Sequence, residues 1–205
     1  MTRVALIDYG AGNLRSCANA LRAAGASDVA VTADPDVVAR ADRIVLPGVG
    51  AFKHCIDALR AIDGLVEAMD VRVRGDGAPF LGICVGMQLL ADTGEEHGVH
   101  AGLGWVGGTV RVMTPTDTSI CIPHMGWNDV RPTSDHPLMR RGEAYYLHSY
   151  ALADCPADAL QATSDHGGAF TAAVARDTIA GVQFHPEKSQ SYGIAFLQRF
   201  LAWRP

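Results

Sequence analysis

One stretch decides the fold of this chain: Pro79-Phe80-Leu81-Gly82-Ile83-Cys84-Val85-Gly86-Met87-Gln88. Its apolar start predicts a buried strand over 80–83, and a helix is expected over 85–91. Glycines two residues before and two residues after the cysteine remove Cβ atoms that would collide in so sharp a turn. The stretch therefore predicts an elbow that lifts the Cys84 sulfur above the carboxyl end of a sheet, where open α/β folds bind ligands.

The position of Cys84 also suits nucleophilic chemistry. A free thiol has a pKa of about 8.5, so only a few per cent of it is thiolate at neutral pH. The N-terminus of a helix favours the negatively charged form. Taken alone, the five-residue pattern also fits a buried core cysteine flanked by incidental glycines. Its place between a strand and a helix favours the nucleophile.

The chain before and around the elbow alternates short apolar runs with helical patterns. Strands are predicted over 3–8, 29–32, 43–46 and 80–83, and helices over 14–24, 35–40, 52–74 and 85–91. Gly25 should end the first helix, Asp34 should cap the second, and the third should break near Asp63-Gly64. This alternation implies βαβ units and a parallel sheet with helices on both faces.

The second half has a different pattern. Apolar segments rich in β-formers predict strands over 105–113, 145–147, 160–164, 169–175 and 179–184, with turns at 167–168 and 176–177. An amphipathic helix is predicted over 193–203. We therefore predict an α/β fold: an open, mostly parallel sheet flanked by helices, with an antiparallel β extension in the second half. One domain should span residues 1–205.

The bulk composition narrows the function classes. The 205 residues are 48% hydrophobic and 19% charged with a net charge of −5, a globular composition that carries no basic stripe. Nucleic acid is therefore not an expected partner. The apolar run near the N-terminus, residues 4–7, is too short for a signal peptide or a membrane span, so a membrane role is not expected.

The cysteine pattern favours reduced thiols and a cytosolic location. The five cysteines are widely spaced and form no CxxC pair, so neither a zinc site nor a disulfide framework is indicated. His97 and His100 lie with Glu95 and Glu96 in a glycine-containing acidic loop, which fits a solvated loop better than a metal site. No metal and no cofactor are expected.

A candidate base for the thiol is His185. It ends an apolar strand, and Glu187 two residues on returns to the same side in extended backbone. Pro186 between them favours an extended conformation at His185. A thiol nucleophile needs such a base, and the base needs a group that fixes its tautomer. The alternative is a strand-end histidine beside a surface glutamate.

A candidate oxyanion site is the glycine-rich segment after the third predicted strand. Gly48, Val49 and Gly50 follow Pro47, and their backbone N–H groups could approach a substrate closely. The amide of Val85, directly after the nucleophile, is the natural second donor. Each such donor stabilises a transition state by about 3 kcal/mol. Taken alone, the segment also fits an ordinary turn.

With these motifs in this order, the chain resembles the triad-type (class I) glutamine amidotransferases along nearly its whole length. Within this family it is most similar to the glutaminase subunits of imidazole glycerol phosphate synthase, from histidine biosynthesis. The elbow and the His-x-Glu pair are shared across the family, whereas Pro47–Gly50 and the segment 123–128, Pro-His-Met-Gly-Trp-Asn, are typical of the subfamily. Val85 stands where leucine is more usual, which changes little because both are apolar.

The resemblance implies more than residue chemistry does. Catalysis would use Cys84, His185 and Glu187. The amino-acid end of glutamine would be bound by Gln88 and Glu96, with backbone near Ser149 and Tyr150 helping. A thioester on Cys84 would be hydrolysed, and the ammonia would pass to a separate active site.

The resemblance also implies a partner, a (β/α)₈-barrel cyclase subunit in a heterodimer. The partner would use the ammonia to make imidazole glycerol phosphate and an aminoimidazole carboxamide ribotide. The residues that the resemblance implies near the interface are Asn13, Pro123, His124, Met125, Trp127, Asn128 and Lys188. From the sequence alone, Met125 and Trp127 fit a core better than an interface.

Three alternatives remain open. A nucleotide-binding module is suggested by Gly10-x-Gly12 and by Asp34, but Arg15 occupies the third glycine position of that fingerprint. A non-catalytic subunit of the same fold is disfavoured by the complete triad. The glutaminase of an anthranilate- or pyridoxal-phosphate-type synthase is disfavoured by Pro47–Gly50 and by residues 123–128.

Overall fold

The computed structural model describes residues 2–117 and 119–205. The first half has the predicted alternation of strands and helices. Its strands are β1 (Arg3–Ile7), β2 (Asp28–Thr32), β3 (Arg43–Gly48) and β4 (Phe80–Cys84). Its helices are α1 (Leu14–Ala23), α2 (Pro35–Ala39), α3 (Phe52–Arg60), α4 (Leu65–Asp70) and α5 (Val85–Gln88), and a π-helical turn (Val71–Gly75) extends α4.

The second half is mostly β-structure and closes with a helix. Its strands are β5 (Thr93–Gly94), β6 (His100–Ala101), β7 (Thr109–Val112), β8 (His124–Pro132), β9 (Gly142–His148), β10 (Tyr150–Ala153), β11 (Leu160–Asp165), β12 (Ala169–Arg176) and β13 (Ile179–Val182). A 3₁₀ turn (Pro186–Lys188) leads into α6 (Gln190–Ala202).

The larger of two sheets has nine strands in the order β2-β1-β3-β4-β13-β12-β11-β8-β9. The pairs from β2 to β13 are parallel, and the pairs from β13 to β9 are antiparallel. The predicted α/β class with an antiparallel extension is therefore confirmed. The chain moves in one direction along the sheet from β1 to β2 through α1, and in the opposite direction from β2 to β3 and from β3 to β4 through α2, α3 and α4. Because parallel crossovers are right-handed, α1 lies on one face of the sheet and α2 to α4 lie on the other.

Local signals explain the start of α2 and the break between α3 and α4. The Asp34 side chain accepts a hydrogen bond from the Asp36 N–H at 2.8 Å and so caps α2. The helical pattern over 52–74 breaks where expected, because Gly64 adopts a left-handed φ of 72°. The helix after the elbow is shorter than predicted and ends at Gln88, and the strand expected over 105–113 is confined to Thr109–Val112.

A second sheet has four strands in the order β10-β7-β5-β6. Strand β9 of the large sheet ends at His148 and β10 of the small sheet begins at Tyr150. Ser149 alone therefore links the two sheets at this point.

Neither a membrane span nor a metal cluster occurs in residues 2–117 and 119–205. No helix there is long and apolar enough to cross a membrane. No group of three or more His, Cys, Asp or Glu side chains in that part of the chain could hold a metal ion.

Candidate active site

The elbow is built as the glycine spacing predicts. Cys84 ends β4 with φ 55° and ψ −114°, a positive-φ conformation that costs a non-glycine residue about 1–3 kcal/mol. A Cβ on Gly86 would lie 1.9 Å from the Leu46 carbonyl oxygen, so only glycine fits there. The close contact between β3 and the start of α5 holds the strained cysteine in place.

Three neighbouring strand ends bring the predicted site residues to one edge of the sheet. Gly48 at the end of β3 is the register partner of Cys84 at the end of β4. On the other side of β4, Val182 at the end of β13 is paired with Ile83. His185 follows β13 by three residues. Parallel pairing of β3, β4 and β13 therefore gathers the oxyanion segment, the thiol and the imidazole.

The predicted His185–Glu187 pair is formed. The imidazole Nδ1 lies 2.9 Å from Glu187 Oε1, and the two side chains are only 3% and 2% exposed. Ser189 holds the segment, because its hydroxyl donates to the His185 carbonyl oxygen at 2.6 Å and accepts from the Tyr145 N–H at 2.9 Å. The pair is thus rigid and shielded from water.

Electrostatics favour the protonated imidazole. Burial by itself lowers the pKa of His185, but hydrogen bonding to Cys84 and Glu187, together with their negative charges, outweighs burial. The net effect raises the pKa of His185 to about 10. Burial, and next the Glu187 carboxylate, raise the pKa of the Cys17 thiol, which keeps that neighbour of Glu187 neutral. An imidazole that holds a proton this firmly suits a paired thiolate.

A cavity of about 200 Å³ opens above the Cys84 sulfur. Its lining includes every predicted catalytic, oxyanion and substrate-binding residue except Gly48 and Glu187. The lining residues are Val49, Gly50, Cys84, Val85, Gln88, Glu96, Leu147, His148, Ser149, Tyr150, His185 and Lys188. A larger cavity of about 440 Å³ lies elsewhere, between β7, β10 and β12, and contains none of the predicted site residues. We assign the site to the smaller cavity because it holds the reactive side chains.

The predicted oxyanion segment is fixed by two side chains whose contacts with it were not predicted from the sequence. The Tyr9 hydroxyl donates to the Pro47 carbonyl oxygen at 2.8 Å, and the Cys55 thiol donates to the Val49 carbonyl oxygen at 3.3 Å. A Cβ on Gly48 would lie 2.7 Å from the Gly86 nitrogen, so the segment packs directly against the elbow.

The predicted substrate residues lie around the cavity but also contact protein groups. Glu96 Oε2 accepts from the Phe52 N–H at 2.8 Å, at the start of α3. Gln88 Nε2 donates to the Tyr150 carbonyl oxygen at 2.9 Å. Both amide hydrogens of Gln88 are used, because Nε2 also donates to Gln183 Oε1 at 3.0 Å. The free acceptor of Gln88 is therefore its oxygen, which suits an ammonium group.

The sequence of residues 5–202 matches the family model of glutamine amidotransferase class-I. The chain belongs to the class-I glutamine amidotransferase family. Among similar curated proteins, imidazole glycerol phosphate synthase subunit HisH of Zymomonas mobilis is 62% identical over 98% of this chain and 96% of that protein. The protein of the same name from Caulobacter vibrioides is 53% identical over the full length of both chains.

Solved structures agree with the family at the level of the fold. A glutamine amidotransferase crystal structure superposes with a TM-score of 0.75 at 14% identity, over 97% of both chains. The glutaminase domain of CTPS from Trypanosoma brucei gives a TM-score of 0.67 at 17% identity, over 98% of this chain and 93% of that one. Glutamine amidotransferases and glutaminase domains thus share this architecture at low sequence identity.

In this class-I glutamine amidotransferase, the residues predicted near a partner divide into exposed and buried groups. Met125 and Trp127 on β8 are 66% and 47% exposed. Lys188 Nζ lies 5.7 Å from the centre of the half-buried Tyr145 ring. His124 is only 3% exposed, so it would act on a partner only indirectly. The remaining predicted interface residues are exposed or half-buried: Pro123, Asn13 and Asn128.

Sequence reasoning assigned no role to several residues that shape the site. Gln183 and His148 have contacts that depend on how distant strands pair. The Gln183 amide nitrogen lies 3.7 Å from Cys84 Sγ, and the Leu147 carbonyl oxygen lies 3.9 Å from the same sulfur. The sequence offered one signal for Gln183: it is a polar residue directly after a fully apolar strand, β13.

Proposed function

We propose that this class-I glutamine amidotransferase is the glutaminase subunit of imidazole glycerol phosphate synthase. It hydrolyses glutamine to glutamate and ammonia and supplies the ammonia to a cyclase subunit in histidine biosynthesis. One observation carries the proposal: Cys84 stands in a strained elbow at the cavity that His185, hydrogen-bonded to Glu187, also lines. The names of relatives at 53–62% identity support the pathway.

The first half of the proposed reaction forms a thioester. The Cys84 thiol gives its proton to His185, and the thiolate adds to the carboxamide carbon of glutamine. The oxygen of that carbonyl becomes an oxyanion, which N–H groups of the 48–50 segment and of Val85 stabilise. His185 then returns the proton to the nitrogen, the C–N bond breaks, and ammonia leaves. Glu187 orients the imidazole and stabilises its protonated form.

The second half releases glutamate. His185 takes a proton from a water molecule, and the resulting hydroxide adds to the thioester carbon. The C–S bond breaks, the sulfur regains a proton from His185, and the γ-carboxylic acid of the product gives its own proton to water, so that glutamate leaves as a carboxylate. Gln88 and Glu96 hold the ammonium end of the substrate, and the backbone of Ser149 and Tyr150 lies along it.

The proposed partner is a (β/α)₈-barrel cyclase that forms a heterodimer with this chain. Docking would use the exposed apolar side chains of β8 together with Lys188, Asn13 and Pro123. A closed interface would let ammonia reach the second active site without meeting bulk water. Within the same proposal, residues 1–205 work as one amidotransferase domain in the cytosol and need no cofactor.

The test replaces the sulfur. We expect Cys84→Ala to keep the fold, because the side chain is small and its elbow is held by glycine contacts, and to lose glutamine hydrolysis. Glutamate release by the purified complex measures this loss, and Cys121→Ala, at an exposed cysteine, is the matched control. The Cys84→Ala complex should still make product from added ammonium salts, because the partner has its own active site.

Two results would contradict the proposal. Glutamine hydrolysis by folded Cys84→Ala close to the Cys121→Ala rate would exclude the thiol nucleophile. A folded Cys84→Ala complex that fails with ammonium salts would count against two separate sites joined by ammonia transfer.

A further inference from the structure

A chain of hydrogen bonds runs from strand β8 to the cavity, and each link has a fixed direction. It begins at Asn128, whose Oδ1 accepts from the Asp129 N–H at 2.8 Å. The Asn128 amide nitrogen is therefore free to donate, and it reaches the Asp165 carbonyl oxygen at 2.7 Å and His124 Nε2 at 3.2 Å. Two backbone groups thus fix the amide orientation, and His124 Nε2 must be an acceptor.

Two neutral histidines continue the chain. Since Nε2 of His124 accepts, its proton is on Nδ1, which donates to His148 Nε2 at 3.2 Å. The proton of His148 is likewise on Nδ1, which donates to the Tyr150 carbonyl oxygen at 2.9 Å. Burial, and next the nearby His166 imidazole, lower the pKa of His124 to about 4. Burial lowers the pKa of His148 to about 3, so both rings stay neutral at physiological pH.

Further hydrogen bonds connect the Tyr150 carbonyl oxygen to the Cys84 sulfur through Gln88 and Gln183. The Tyr150 oxygen also accepts from Gln88 Nε2, and the other Gln88 amide hydrogen goes to Gln183 Oε1. The amide of Gln183 is then oriented with its oxygen toward Gln88 and its nitrogen toward Cys84 Sγ, 3.7 Å away. Reversing the Gln183 amide would set its nitrogen against the Gln88 nitrogen, two donors facing each other, so the direction of the amide is fixed. Gln183 is also fully buried, which shields the contact from water.

We propose that Gln183 is a catalytic residue whose side-chain N–H donates to the Cys84 sulfur and stabilises the thiolate. Gln88 is the positioning residue that fixes the direction of this donor, and His148, itself bonded to His124, donates to the same Tyr150 carbonyl oxygen that orients Gln88. A hydrogen bond to a charged acceptor is stronger than one to a neutral acceptor, so the contact favours the ionised sulfur over the thiol. The inference rests on the proposed function, because it takes Cys84 as the nucleophile.

The test measures how readily the Cys84 thiol ionises. The rate of Cys84 alkylation by iodoacetamide, followed across pH by mass spectrometry of the Cys84 peptide, gives a profile whose midpoint reports thiolate formation. Gln183→Met keeps the length but removes the donor, and we expect the midpoint to rise by about one pH unit. Gln183→Glu keeps the shape but places a carboxylate beside the sulfur, and we expect a larger rise.

The matched control is Gln161→Met, at another buried glutamine whose amide bonds only to backbone and Ser134. It should lose comparable hydrogen bonding and leave the alkylation profile where it is in the wild type. An unchanged profile in folded Gln183→Met or Gln183→Glu would overturn the proposal. This outcome is independent of glutaminase assays, so its failure is distinct from a failure of the proposed function.

A second measurement tests the direction of the chain in the wild-type protein. Imidazole ¹⁵N spectra at pH 7 should show the Nδ1–H tautomer for both His124 and His148. An Nε2–H tautomer or an imidazolium at either ring would overturn the hydrogen-bond directions assigned to these two histidines and the support they give to the Tyr150 carbonyl oxygen.

Discussion

At the scale of single residues, the site depends on which group holds a proton. His185 is buried, which alone would keep it neutral, yet its pKa rises because Cys84 and Glu187 lie against it. This pairing was predictable from the sequence, since Glu187 follows His185 by two residues with a proline between them. The contact of Gln183 with Cys84 was not, because it needs the pairing of β13 with β4, and the contact of His148 with His124 was not, because it needs the pairing of β9 with β8.

The role of the carboxylate can be tested by an isosteric change. Glu187→Gln keeps an oxygen for the His185 Nδ1–H but removes the negative charge. We expect the rate of glutamine hydrolysis to fall about 10²- to 10⁴-fold, the usual range for losing general acid–base catalysis. Steady-state kinetics measure the fall. Glu143→Gln, at an exposed glutamate on β9, should change little, and equal rates for the two variants would contradict the role of Glu187.

The raised pKa of His185 also makes stability depend on pH. The pKa is about 10 in the folded state and 6.5 for an unperturbed imidazole, so between these values the folded state binds more protons than the unfolded state. The stabilisation is complete below pH 6.5 and is lost as pH rises toward 10. The wild-type free energy of unfolding should fall by on the order of 1 kcal/mol per pH unit in this window.

Urea unfolding between pH 6.5 and 9 measures this slope. Glu187→Gln should show a shallower fall, because one of the two groups that raise the pKa has lost its charge. Parallel slopes for wild type and Glu187→Gln would show that Glu187 does not raise the pKa of His185.

At the scale of elements, the elbow is the feature that the sequence predicted best. Glycine spacing and a fully apolar β4 are local signals, and the strand, the turn and the start of α5 follow from them. Strand β8 was missed because only His124 and Val130 of its nine residues are buried, so it lacks apolar alternation. Strand β10 was missed because a single residue separates it from β9.

The close packing at the elbow predicts a sharp difference between two glycines. Gly86→Ala would force a Cβ to within 1.9 Å of the Leu46 oxygen, and because both sides are backbone the structure must shift. We expect a loss of several kcal/mol in the free energy of unfolding, on the order of 3 or more. Urea unfolding measures it. Gly75→Ala has only Val71 within contact distance, at 3.9 Å, and should change stability by less than about 1 kcal/mol.

At the scale of the whole molecule, the antiparallel extension carries an exposed apolar face. Met125 pairs with Leu147 and Trp127 pairs with Tyr145 across β8 and β9, and all but Tyr145 are large exposed hydrophobic side chains. Val49 of the predicted oxyanion segment is also exposed. Contiguous apolar side chains of this kind mark interaction surfaces. The sequence could not separate this face from a core, because burial depends on the final pairing of strands.

We expect the exposed apolar face of β8 and β9 to contribute most of the free energy of partner binding. Trp127→Ala should weaken binding of the proposed barrel subunit by about 2 kcal/mol or more, roughly 30-fold in Kd, as expected for an aromatic anchor at an interface centre. Titration calorimetry measures the Kd. Val71→Ala, at an exposed apolar side chain on the π-helical turn, is the control and should leave it unchanged. Equal Kd values for the two variants would place the interface elsewhere.

The single-residue crossing at Ser149 has a consequence for how this enzyme can vary. The segment from His148 to Tyr150 lines the pocket and passes directly from one sheet to the other. A residue inserted there would therefore shift the strand pairing in both sheets at once. The stretch between β8 and β9, residues 133–141, joins strands of one sheet and can change length without that penalty. Related chains should therefore differ in length at such loops and keep the crossing at one residue, which makes the pocket dimension the least adjustable property of the enzyme.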